Sequence, residues 1–253
     1  MTYGTTIRLY DIPMVANFRE TGVTRVKSVT SRKPENVPYR QEIGTLLYLQ
    51  NGTRPDISYA VNVLSRRQSA FTESDWKAVQ RIMGCLAATK DLALVFDPNS
   101  DKIDCYVDAS LGMNTKDGHS TTGFIIYLFG CPVMWRTKKQ NHVALSSAEA
   151  EFVAMSTACR ELASLREMSS NILGLSLVPL IHEDSKPALR LAETDDSSTL
   201  KHLVKLSYLY VREEFKNKNV GIQWISTEDQ IADTFTKPLF KTKFIRFREK
   251  FLS

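Results

Sequence analysis

Four acidic residues stand where carboxylates can do chemistry. Asp108 ends an alternating apolar stretch, Asp184 ends a short apolar run, Glu151 falls in the first turns of a helical pattern, and Asp233 lies near the start of a later one. Carboxylates at strand ends and helix starts can converge on one side of a mixed sheet. Like charges a few ångströms apart raise one another's pKa, so such a cluster calls for a divalent cation between them. Hard oxygen ligands favour Mg2+ or Mn2+ over zinc. Two such ions about 3.5–4 Å apart would clamp the attacking water and the leaving oxygen of an in-line phosphodiester displacement. This is nuclease chemistry.

Taken singly, each residue also has a plain structural explanation. Asp108, followed by Ala109-Ser110, could simply end a strand, and Asp184-Ser185 could cap the next helix. Asp233 near a helix N-terminus suits the helix dipole. Glu149 is accounted for as the capping-box partner of Ser146, whereas Glu151, about 200° further round the helix, has no capping task. Glu151 is therefore the residue assigned to the metal.

The elements that must position these groups follow from the hydrophobic periods. Residues 1–38 show no sustained period and read as a lead-in segment with no assigned chemistry. From Tyr39 to Lys90 the apolar residues recur at helical spacing, broken at Asn51-Gly52-Thr53-Arg54-Pro55, which predicts a small helical region over 39–98. The turn formers Asp97 to Asp101 mark a boundary, beyond which the period changes to 2. Strands are expected over Ile103–Asp108, Thr122–Phe129 and Val133–Arg136, joined by short connections into an antiparallel meander. A long helix then opens at the Ser146/Glu149 box and runs to Gly174. Val178 to His182 is a fourth strand, with a helix over Pro187–Ala192, another over roughly Leu200–Lys216 and a strand at Val220–Ile225. A last helix is expected to open at a second box, Thr227 with Gln230, and to stop near Pro238. These elements are assigned to one domain over residues 99–240. A short amphipathic C-terminal helix carrying Phe244, Phe247 and Phe251 follows over 241–253.

Composition bounds the function classes. The 253 residues are 43% hydrophobic and 24% charged, ordinary globular usage that excludes disorder throughout. No run of about 18 apolar residues occurs and the start lacks a secretory pattern, so an intracellular protein of cytoplasm or nucleus, with no membrane partner, is expected. The four cysteines form no C-x-x-C pair, which argues against a zinc knuckle or a disulfide framework. A net charge of +5 is compatible with a polyanionic partner without requiring one.

Longer motifs carry a resemblance. YRQEIGTLLYLQNGTRPDISYAVNVLSR at Tyr39 to Arg66, VDAS at Val107 to Ser110, STTGFIIYLFGCPVMWRTKKQNHVALSSAEAEFVA at Ser120 to Ala154 and TEDQIADTFTKPL at Thr227 to Leu239 resemble the C-terminal part of Copia-type retrotransposon Pol polyproteins. The resemblance covers most of the chain. It implies the end of a reverse transcriptase, its thumb or connection, followed by a domain of α/β class: a ribonuclease H-like mixed five-stranded sheet with flanking helices. It also implies a catalytic and metal-binding quartet, in which Asp108 matches the family's first Asp and Glu151 the second Glu of its SSTEAEY-like motif. Asp184 matches the Asp of its CDN-like motif, and Asp233 the Asp of its ADIFTKPL-like motif. The residues chosen from their placement and those implied by the resemblance coincide. The chain departs from the family at Glu183-Asp184-Ser185-Lys186, where Lys186 puts a positive charge beside the metals, and at Lys201-His202-Leu203-Val204. No Tyr-x-Asp-Asp polymerase motif and no integrase motif occurs, so neither activity is expected of this chain.

An RNA/DNA hybrid would present its phosphates to Arg136, Lys138 and Lys139, contacts that position a duplex without reading its sequence. The same basic run serves equally as a solvated turn. Tyr127 and Trp135 could stack on a sugar or base, although aromatic residues on strands are more often packing. His202 could assist proton transfer, a role not assigned because its register is uncertain, and His119, His142 and His182 lack metal-ligand spacing. The leading expectation is a metal-dependent endonuclease cleaving the RNA strand of hybrids, with two ions, on a truncated polyprotein and alongside the rest of a reverse transcriptase. The rival is a catalytically silent nucleic-acid-binding or interaction scaffold, or a decayed transposon remnant.

Overall fold

The structure, a computed structural model, describes residues 8–18, 36–112, 117–193 and 202–253, with side chains from 206 onward in the last stretch. It divides into two compact units, Met1–Leu94 with Lys237–Ser253, and Val95–Thr236.

The first unit is helical. α1 (Tyr39–Gly52) ends at the expected break, a 3₁₀ turn (Pro55–Ile57) follows, and the chain continues into α2 (Ser58–Ser65) and α3 (Glu73–Ala88). Ile43, Leu46, Ile57, Val61, Leu64, Val79 and Ile82 form its core. Tyr39 stacks on Phe71 with 4.2 Å between ring centroids and donates its hydroxyl to the Leu64 carbonyl at 2.9 Å, so this large side chain is buried with its polar tip satisfied. α3 starts in a full capping box between Thr72 and Asp75, a signal the periodicity alone does not reveal. The buried Arg54 guanidinium forks onto Asp56 at 2.9 and 2.7 Å and also reaches the Thr89 hydroxyl and carbonyl, which ties the helix break to the end of α3.

In the second unit, β1 (Ile103–Ser110), β2 (Thr121–Leu128) and β3 (Cys131–Lys139) form the expected antiparallel meander. α4 (Ser147–Leu173) leads to β4 (Leu180–Glu183), which pairs parallel to β1; α5 (Lys186–Glu193) and α6 (His202–Lys216) precede β5 (Gly221–Trp224), parallel to β4. The result is the ribonuclease H-like mixed five-stranded sheet, in the order β3-β2-β1-β4-β5. Alternation along β1 turns Ile103, Cys105 and Val107 into a core with Phe152, Met155, Cys159 and Leu162 of α4, closed by Tyr208 and Val211 of α6. α4 ends as expected at Gly174, whose φ of 67° is the left-handed conformation that releases the chain from a helix. The four cysteines are free and buried.

Four local expectations need correction. β1 does not end at Asp108 but continues to Ser110, because Ala109 and Ser110 pair with Thr122 and Thr121 of β2. β3 does not stop at Arg136 but runs to Lys139, because paired β2 residues continue opposite it to Thr121. The basic run is therefore part of an edge strand and not a turn after one. Ser146 caps α4 by accepting the Glu149 N–H at 3.1 Å, but the Glu149 carboxylate reaches past Ser146 to the Leu145 N–H at 2.5 Å, so the box is only half made. No helix opens at Thr227; that stretch is turn, and the late helix is a single short one, α7 (Asp233–Thr236). Gln230 is drawn instead into the sheet. Beyond it, α8 (Lys241–Arg248) belongs to the first unit, where Ser253 and Ala93 exchange backbone hydrogen bonds of 2.9 and 3.1 Å. Among the described residues, no helix is long and apolar enough to cross a membrane.

Candidate active site

Asp108 lies on β1 directly opposite Gly123 of β2. A Cβ at Gly123 would stand 2.6 Å from the Phe235 Cβ and the Thr236 Cγ2. The missing side chain is what lets α7 lie against the sheet at this point. The contact is held by the Thr137 hydroxyl of β3, which donates to the Phe235 carbonyl at 2.8 Å. It also delivers the Thr236 hydroxyl to Oδ2 of Asp108, a buried carboxylate only 2% exposed.

Glu151 comes from the opposite side. It sits in the second turn of α4, 7% exposed, and its Oε2 accepts the Ala109 N–H at 2.5 Å, which fixes the carboxylate beside Asp108. Gln140 holds this end of α4 to the sheet, donating to the Thr122 hydroxyl at 3.0 Å and the Ala150 carbonyl at 2.8 Å. Asp184 follows the last residue of β4. Ligand oxygens of Asp108, Glu151 and Asp184 all lie within 4.8 Å of one another. Two of these carboxylates are buried and one is partly exposed, so the group opens to solvent on the Asp184 side. Asp233, the fourth sequence candidate, is buried at the first position of α7, three residues before Thr236, and is not a member of this close group.

Three further residues of the site carry no catalytic signal in their own stretch of sequence. Gln230 donates through Nε2 to the carbonyls of Val107 at 2.8 Å and His182 at 3.3 Å, bridging β1 and β4 one residue before Asp108 and two before Asp184. Thr236 is the second. The third is Glu183, fully buried, whose carboxyl is pushed well above the usual carboxylate range. Burial is the main cause; the neighbouring Asp108 and Asp184 charges act the same way, while backbone N–H groups of Ser185 and Asp184 oppose them. One Glu183 oxygen accepts the Ser185 N–H at 2.9 Å and the other has no hydrogen-bond partner among the described residues. The signal available in the sequence was alternation, which puts Glu183 on the same face as the core residue Ile181.

The donor set fits a hard divalent cation: three carboxylates in ligand range, no thiol or imidazole among them, and a buried acid beside them that already resists ionisation.

The basic run does not form one patch. Alternation on β3 puts Arg136 and Lys138 on one face and Lys139 on the other. Arg136 is ion-paired to Glu161 of α4 at 2.5 Å and lies over the Phe124 ring, Lys139 pairs with Asp117, and Lys138 is exposed. Tyr127 is buried edge-on to Tyr106, which is packing. His182 Nε2 lies 2.8 Å from Asp104 Oδ1 with its ring stacked on Tyr106, and His119 Nδ1 lies 2.7 Å from the Gln140 carbonyl. The side chain of His202 lies outside the described residues.

Comparison with known proteins places these observations. No family model matches the chain. It is 35% identical over 223 residues to the retrovirus-related Pol polyprotein from transposon RE2 of Arabidopsis thaliana, a match that takes in 87% of this chain and 15% of that polyprotein. It is 39% identical over 128 residues to secreted RxLR effector protein 161 of Plasmopara viticola, covering 50% of this chain and 90% of that protein. Among solved structures, LC11-RNase H1 isolated from compost aligns with 54% of this chain and 93% of its own, at 17% identity and a TM-score of 0.42. The chain thus spans about a seventh of the length of the curated polyproteins it matches.

Proposed function

Because this chain belongs to the family of Copia-type retrotransposon Pol polyproteins, we propose that its sheet unit is a ribonuclease H that hydrolyses the RNA strand of RNA/DNA hybrids. The observation that carries this reading is the convergence of the Asp108, Glu151 and Asp184 carboxylates within 4.8 Å. These three would hold Mg2+ or Mn2+, two ions in the full reaction, with Asp233 supplying a further carboxylate from α7. The cation would neutralise the carboxylate cluster and activate water for attack on the phosphodiester.

The chain's own residues do the positioning. The Ala109 N–H and the Thr236 hydroxyl orient Glu151 and Asp108, so neither carboxylate has to reorganise when a cation binds. Gln230 fixes the strand ends that carry Asp108 and Asp184 relative to one another. Burial and the neighbouring carboxylates disfavour the charged form of Glu183, which limits the negative charge it adds to a cluster that must receive a phosphate. The exposed Lys138 is left to meet the hybrid backbone, with Arg136 and Lys139 as secondary contacts released from their acidic partners. The helical unit is read as the end of a reverse transcriptase, working beside the rest of that enzyme inside the cell.

The test is cleavage of a hybrid labelled on either strand, with Mg2+ or Mn2+, beside duplex DNA and an Asp108→Asn control. Cutting of the RNA strand alone, lost in the control, is expected. Hybrid binding without cutting would leave the scaffold reading in its place.

A further inference from the structure

Trp224 is the last residue of β5, in register with Glu183 of β4, and the residue is 47% exposed. It is not loose at the surface: Nε1–H donates to the carbonyl of Asp184 at 3.2 Å, so the indole is tied to the backbone of one of the three clustered carboxylates. Lys186, at the first position of α5, sets its ammonium 4.9 Å from the ring centroid. A cation in the first turn of a helix opposes the helix dipole, so helix stability does not explain Lys186. Nor does packing explain Trp224, which lies outside the apolar core that Ile222 of the same strand touches.

We infer that Trp224 and Lys186 form a substrate subsite beside the carboxylate cluster, where a nucleotide of the RNA strand packs its base or ribose on the indole and gives its neighbouring phosphate to the lysine. The inference rests on the ribonuclease H reading above and adds where the strand is gripped. An aromatic face accepts any base, and an ammonium contacts a phosphate without reading sequence, so the subsite serves an enzyme that cuts hybrids of any sequence. The hydrogen bond to Asp184 means that a nucleotide seated on the ring is referred directly to the residue that would hold the metal. The departure from the family at Lys186 is then a gain of a phosphate contact rather than a loss at the metal site.

The test is equilibrium binding of a labelled RNA/DNA hybrid to the full chain carrying Asp108→Asn to prevent cleavage, compared with the same chain also carrying Trp224→Ala, Trp224→Phe or Lys186→Ala. The subsite predicts roughly tenfold or greater weakening for Trp224→Ala and a substantial recovery for Trp224→Phe, as one stacked base is lost and regained. It predicts a shallower salt dependence for Lys186→Ala. Fluorescence present in the Asp108→Asn chain and absent from its Trp224→Phe form should be quenched by hybrid, a readout that holds even if Trp224→Ala fails to fold. Tight hybrid binding by the Asp108→Asn chain with no such quench, or with Trp224→Ala within twofold of it, overturns the subsite alone. No hybrid binding by the Asp108→Asn chain overturns the ribonuclease H reading and the subsite with it.

Discussion

Thr236 donates its hydroxyl hydrogen to Oδ2 of Asp108, joining α7 to β1 over a sequence separation of 128 residues. The two residues meet because Gly123, opposite Asp108, leaves room for the backbone of α7. The geometry of the candidate site thus depends on a residue with no functional group at all.

Gly123→Ala should therefore act at a distance. A methyl group 2.6 Å from two atoms of α7 forces the short helix off the sheet, an overpacking that costs about 1–3 kcal/mol. Urea denaturation should show that loss, and hybrid cleavage should fall with it. Unchanged stability would mean that α7 does not pack on β2 as described.

Thr236→Val keeps the shape of the side chain and removes the donor. A buried carboxylate oxygen deprived of a donor costs about 1–3 kcal/mol, and Thr236→Ser should restore most of it. Equal denaturation midpoints for the valine and serine variants would contradict the contact.

Alternation brings Asp108 and Asp184 to where apolar stretches give way to polar residues, although β1 itself continues past Asp108 to Ser110, and a capped helix start fixes the turn that carries Glu151. Gln230 cannot be placed in this way, since its partners are the carbonyls of Val107 and His182, far away in the chain, and the local Thr227/Gln230 pattern imitates a capping box. The end of β3 is hidden in the sequence for a related reason. Arg136, Lys138 and Lys139 look like a solvated turn, and only their pairing with Phe124, Thr122 and Thr121 keeps them in the sheet. Charged residues are tolerated there because β3 is an edge strand. Local signals located the groups that carry charge; the uncharged residues that orient them are visible only once distant segments meet.

Divalent metal should stabilise the folded chain. A cation that binds only the native site adds about 2.7 kcal/mol at a hundred times its dissociation constant, enough to raise the melting temperature by several degrees. Addition of Mg2+ or Mn2+ should produce that rise, chelation should reverse it, and Asp108→Asn should abolish it. An equal rise in the variant would place the cation elsewhere.

The helical unit should lose stability in alkali through Cys85. Burial pushes this thiol from 9.0 up to about 11, with the Asp56 charge acting in the same sense. Between those values the unfolded thiol ionises while the folded one keeps its proton, so the native state binds more protons and stability falls as pH rises from about 9 to about 11. Melting curves across that range should slope less steeply for Cys85→Ala than for the parent chain. Parallel slopes would show that the thiol is not held neutral.

Whether the carboxylates of Asp108, Glu151 and Asp184 act together on an RNA/DNA hybrid is decided by one comparison of cleavage rates. Asp108→Asn, Glu151→Gln and Asp184→Asn would be assayed beside the parent chain with Mg2+ or Mn2+ at matched folded concentration. The expected result is RNA-strand cleavage by the parent and a fall to the background of the buffer in each of the three variants. A parent chain that cuts while any one of the three variants cuts equally well would contradict it, as would a folded parent that leaves the hybrid intact.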